Sequence, residues 1–143
     1  MGAVMLREEI KQIIPHREPM LLIDEVTLDE NGLARARYEV RGDEWFLQGH
    51  FPGNPIVPGV ILCEMLAQAC CLLFKEYING QTPLFAGLEN VKFKGIVRPK
   101  DTLEIICEVK KIRHPFYFAS GKGYVGEKLC VCGDFSFALM KGE

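Results

Sequence analysis

The chain has 143 residues, 48% hydrophobic and 25% charged, with a formal net charge of −2. Such a length predicts a single domain over 1–143, and the near-neutral balance excludes a disordered chain or one that holds nucleic acid by bulk charge. No secretory leader or membrane span is read in it, and its six cysteines fit no disulfide framework or zinc spacing, so a cytoplasmic protein with reduced thiols is expected.

From the N-terminus, Leu6, Ile10, Ile13 and Ile14 recur at helical spacing and predict a short amphipathic helix over 7–13, ended by Pro15. Pro15 and Pro19 hold an extended lead-in to a strand over 20–27. LDENG supplies turn chemistry, and the loose alternation of 33–40 completes a hairpin. An approach loop over 43–48 brings Trp45 and Phe46 to be buried. Then Pro52, Pro55 and Pro58, interleaved with Gly49, Gly53 and Gly59, predict a fixed irregular loop that carries His50 to a helix start.

From Val60 to Phe74 every residue is apolar or small except Glu64 and Gln68. A helix that is apolar all round belongs inside a domain. With Pro58 at its first position and Asn79-Gly80 as its stop, it would run about 20 residues, or roughly 30 Å. Strands follow at 84–88, 91–97, 103–112, 116–125 and 129–139. One long helix and six or seven strands with short connections predict an α+β fold, an antiparallel sheet curled around the helix.

The chemistry concentrates around that helix. Glu64 and Gln68 stand four apart and share a face, and a carboxyl on an apolar helix is costly unless paired, protonated or functional. His50 lies just upstream. Together they supply a base that titrates near neutrality and an acid whose proton burial helps to retain. Free amides at Gly59 and Val60 would polarise a carbonyl oxygen at the positive end of the helix. The combination predicts proton abstraction beside a carbonyl, coupled to loss of a group further along. His16, between two prolines, reads as a loop anchor, and His114 as a solvated turn. No metal set, phosphate loop or serine-hydrolase elbow is present in the sequence.

The stretch GHFPGNPIVPGVILCEMLAQA resembles the signature of the β-hydroxyacyl-acyl-carrier-protein dehydratases of the FabZ type, with His-Phe-Pro, Pro-Gly-Val, a Glu and Ala-Gln in order. PHREPMLLIDEV, FLQGHF and VKFKGIVRPKDTL extend the likeness over most of the chain. The resemblance implies the hotdog fold, no cofactor, and a homodimer whose sites draw His50 from one subunit and Glu64 from the other, in the family often built up to a trimer of dimers. It implies His50 and Glu64 as the catalytic pair, the Gly59 amide on the thioester carbonyl, and Gln68 in support of Glu64. Val60 and Phe51 are expected beside the substrate, and Phe51, Leu62, Met65 and Phe85 are tunnel candidates. The partner would be an acidic acyl carrier protein, which makes Lys92, Lys94, Arg98 and Lys100 a candidate docking patch. A thioesterase on the same fold, a dehydratase of a dedicated lipid pathway and a non-enzymatic acyl-binding module are the competing readings.

Overall fold

The computed structural model describes residues 2–141. Its elements in order are β1 (Val4–Leu6), α1 (Arg7–Ile10), β2 (Glu25–Leu28), β3 (Leu33–Glu39), a 3-10 turn (Trp45–Leu47), α2 (Gly59–Leu72), α3 (Lys75–Ile78), β4 (Thr82–Phe93), β5 (Thr102–Arg113), β6 (Phe116–Val125) and β7 (Lys128–Met140). All seven strands form one sheet in the order β1-β2-β3-β5-β6-β7-β4, with every neighbour antiparallel. The strands obey the two-residue period: in β3, Ala34, Ala36 and Tyr38 are buried while Arg35 and Arg37 face out.

Helix α2 lies on the inner face of this sheet, against β3, β5, β6 and β7. Its interior holds strong helix formers and neither Gly nor Pro, and eleven of its 14 residues are buried. The close approach depends on β6. A Cβ added at Gly121 would stand 3.4 Å from both Leu66 Cγ and Cys70 Sγ, and one at Gly123 only 3.2 Å from Leu66 Cδ1. Two positions without side chains thus let the helix sink onto the sheet, where each fully buried Leu or Met contributes about 1.5–3 kcal/mol.

Several expected boundaries move. The central helix is shorter than the expected 20 residues, because the amides of Leu73 and Phe74 bond three residues back, to the carbonyls of Cys70 and Cys71. This tighter turn ends α2. It turns Phe74 inward against Tyr117, ring centroids 5.2 Å apart, before α3 resumes. Asn79, with φ 40°, stops α3 rather than the main helix. Pro58 precedes the first helical residue, with ψ 141°, instead of occupying it. The N-terminal helix covers only Arg7–Ile10, and the strand expected over 20–27 begins at Glu25. The two strands expected at 84–88 and 91–97 are one, β4, with irregularities after Phe85 and Glu89. Phe46 is buried as expected, but Trp45 is half exposed. Neither the three-residue β1 nor the glycine pair on β6 was expected.

Candidate active site

Two segments converge on the α2 carboxyl. The strap 15–22 runs past the helix and is fastened by Gln68, the one buried polar residue among those described. Its Oε1 accepts from the Leu22 amide at 2.8 Å, and its Nε2 donates to the Met20 carbonyl at 2.7 Å and to Glu64 Oε2 at 3.0 Å. Both amide hydrogens are therefore used, which fixes the amide's orientation. The same strap brings His16, whose Nε2 stands 3.5 Å from Glu64 Oε2. A cavity of about 140 Å³ opens beside the carboxyl, bounded by His16, Glu64 and Gln68 on one side and by Leu84, Phe85 and Phe137 on the other. The Glu64–Gln68 pairing was legible from their spacing. The arrival of His16 was not: expected as a loop anchor, it sits 48 residues from Glu64, and its sequence signals were an imidazole between two prolines beside an apolar run and its place in the stretch PHREPMLLIDEV.

The wide grooves of about 440 and 600 Å³ lie elsewhere, on the outer face of the sheet and along its rim, among Glu25, Arg37, Asp24 and Arg41. They are open, and charged side chains of both signs line them. Cys71 also borders the carboxyl cavity. Burial first and the Glu64 charge second push the thiols of Cys63 and Cys71 up, so neither supplies a thiolate nucleophile at neutral pH.

His50 is held differently. Its loop closes on itself through reciprocal Phe51 and Asn54 backbone bonds and an Ile56 amide bond to the His50 carbonyl. Arg98 donates to Asn54 Oδ1 at 2.6 Å and braces the loop from outside. His50 Nδ1 lies 2.8 Å from the Ile56 carbonyl. A carbonyl only accepts, so the ring hydrogen is on Nδ1 and Nε2 keeps its lone pair, as a general base requires. Phe51 stacks on this ring at 4.1 Å between centroids and is itself half exposed. Among the described residues, no polar contact joins His50 to Glu64 within the chain, and His50 does not border the Glu64 cavity.

At the helix start, the Ile61 and Leu62 amides turn back to the Pro58 carbonyl, whereas those of Gly59 and Val60 meet no acceptor among the described residues. The Phe93 ring covers Gly59 so closely that an added Cβ would lie 2.9 Å from it. Val60 is 75% exposed and points away from the core. Of the tunnel candidates, Leu62 and Met65 are core residues and only Phe85 borders the cavity. The basic residues do not share one strand: β4 ends at Phe93, leaving Lys94, Arg98 and Lys100 in the following loop, with Arg98 already engaged by Asn54.

A helix wrapped by a seven-stranded antiparallel sheet is the hotdog fold. The dehydratase heterocomplex ApeI:P from Xenorhabdus doucetiae superposes with a TM-score of 0.77 at 18% identity, over 91% of this chain and 90% of that one. The fluoroacetyl-CoA thioesterase FlK superposes at 0.65 and 12% identity, over 76% and 84%. Both likenesses concern the fold. The sequence is more specific: a FabA-like domain model matches residues 14–133, and the chain belongs to that family. It is 46% identical over 136 residues to the 3-hydroxyacyl-[acyl-carrier-protein] dehydratase FabZ of Clostridium beijerinckii, covering 92% of this chain and 96% of the relative.

Proposed function

We propose that this chain is a hydro-lyase that removes water from a (3R)-hydroxyacyl thioester carried by acyl carrier protein, giving the trans-2-enoyl thioester in fatty-acid biosynthesis. His50 Nε2 takes the C2 proton while the Gly59 amide stabilises the developing enolate oxygen. Glu64 gives a proton to the departing C3 hydroxyl. The observation that carries this reading is a carboxyl held by one oxygen in an apolar cavity, in a chain with an imidazole of the correct tautomer for a base and a relative of that activity at 46% identity.

The sites would be shared between two copies. A cavity of about 140 Å³ is small for an acyl chain, which calls for several hundred cubic ångströms. Its wall belongs to β4, a 12-residue edge strand on which Leu84, Phe85, Leu88 and Phe93 are all about half exposed. A long apolar edge is a template for pairing, and a two-fold dimer would cover both edges at once. The second copy would bring its His50 to the Glu64 of the first; a trimer of such dimers is the larger assembly this reading allows. The carrier would dock on Lys92, Lys94 and Lys100, which are exposed and make no ion pair among the described residues, with Arg98 bracing the loop. No helix among the described residues is long and apolar enough to cross a membrane. Six free thiols suit a cytoplasmic enzyme.

The test is to incubate the protein with a 3-hydroxyacyl thioester and follow enoyl absorbance against free-thiol release. Enoyl product is expected, with His50→Ala and Glu64→Gln each lowering kcat by about 10³-fold or more. Thiol release in place of enoyl formation would make the chain a thioesterase, and near-normal turnover in either variant would dismiss the assigned roles.

A further inference from the structure

Among the described residues, a single buried side-chain polar atom lacks any partner: Nδ1 of His16. Such an atom has a cost, and its position is informative. The other ring nitrogen, Nε2, faces Glu64 Oε2 at 3.5 Å. A hydrogen on Nδ1 would be a buried donor with no acceptor, whereas a bare Nδ1 is the cheaper orphan. The hydrogen therefore belongs on Nε2, pointing at the carboxyl. Gln68 Nε2 meets the same carboxyl oxygen from the helix side. Oε2 is thus approached by two N–H groups, while no protein donor reaches Oε1 among the described residues.

We propose that His16 is a positioning residue for dehydration. With Gln68 it holds Glu64 by Oε2, leaves the transferable proton on Oε1, and stabilises the carboxylate that remains once that proton has gone to the substrate hydroxyl. This rests on the assignment of Glu64 as the acid. A 3.5 Å separation is longer than a formed hydrogen bond. Contacts of this kind commonly shorten as substrate closes the site. Among the described residues that border the carboxyl, no other charged group competes for it. The strap offers only His16, since Arg17 is spent on the carbonyls of Lys11, Ile14 and His16. Helix α2 offers Gln68 and the thiols of Cys63 and Cys71, and β4 and β7 present Pro83, Leu84, Phe85 and Phe137.

A donor to the carboxylate that remains after proton transfer stabilises the charge that develops there, so its loss slows the transfer. For His16→Ala we expect kcat to fall about 10- to 100-fold, the scale of a lost hydrogen bond to a charged group, with KM little changed. His16→Gln, whose amide N–H can reach the Nε2 position, should recover most of the loss. His16→Asn, whose amide sits near Nδ1, should not. Equal losses in all three, or wild-type kcat in His16→Ala, would overturn the proposal. A readout free of turnover is the ¹⁵N imidazole spectrum of the folded protein, with the His16 ring assigned by its disappearance in His16→Gln. An Nε2–H tautomer is expected, and an Nδ1–H tautomer would overturn it. Glu64→Gln run alongside separates the two levels: if that variant kept turning over, the acid assignment would fail rather than the role of His16.

Discussion

The two histidines near the site show opposite construction. His50 is fixed through Nδ1 to a carbonyl of its own loop, which leaves Nε2 bare. His16 leaves Nδ1 bare in the interior and turns Nε2 to a carboxyl of its own chain. The first is an acceptor with no partner at Nε2 among the described residues; the second is a donor already aimed. Glu64 is thereby held within the chain, by a Gln68 that also fastens Met20 and Leu22, whereas the loop that carries His50 is exposed over 51–54 and does not border the Glu64 cavity. A division of this kind fits one reaction built from two copies.

That contrast can be broken most decisively by mixing inactive variants. In a dimer with shared sites, a His50→Ala subunit keeps Glu64 and a Glu64→Gln subunit keeps His50. After dissociation and random reassociation, about a quarter of all sites should hold both groups, so two dead preparations should give about a quarter of wild-type turnover. No recovery, with subunit exchange verified by mass, would mean that each site is built within one chain.

A smaller effect sharpens the carboxyl half. Gln68→Leu removes three hydrogen bonds and strands the Leu22 amide and Met20 carbonyl in the interior. The expected loss is about 2–4 kcal/mol of unfolding free energy, read from urea titration as a lower midpoint at unchanged slope. A variant as stable as wild type would show that the strap is held by its apolar residues alone.

The smallest effect concerns Asp24, two residues beyond the strap. Burial by itself would raise the Asp24 carboxyl, but hydrogen bonds from Arg41, the Glu39 amide and Arg7 outweigh it and hold its pKa below the ordinary value. A depressed folded-state value contributes stability above the unfolded pKa near 4, and that contribution disappears as pH falls through the folded one. Wild type should therefore lose stability more steeply than Asp24→Asn as acid is added below about pH 4. Parallel curves would remove this anchor from the account.

How far the chain could be read ahead of its structure depended on the range of each signal. The alternation of β3 and the four-residue step from Glu64 to Gln68 are local, and both are present in the fold. The strand pattern over 116–125 reads correctly for the same reason. The end of α2 at Leu72 does not, because Leu73 and Phe74 are good apolar continuations, and it is Tyr117 across the core that draws Phe74 out of line. β1 is a strand only because β2 lies beside it. The His16–Glu64 meeting is of the same sort: nothing within ten residues of either side chain points to the other. Local chemistry singled out Glu64, Gln68 and His50, and only tertiary packing disclosed that His16 Nε2 faces Glu64 Oε2.

The bare positions at Gly121 and Gly123 reach beyond packing. At 123 the clearance is the smaller: an added methyl would stand 3.0 Å from Val131 Cγ1 on the next strand and 3.2 Å from Leu66 Cδ1 on the central rod, so one of the two must give. If the rod gives, Glu64 travels with it, and under the proposed reaction a residue remote from the substrate would alter the elevation of the acid.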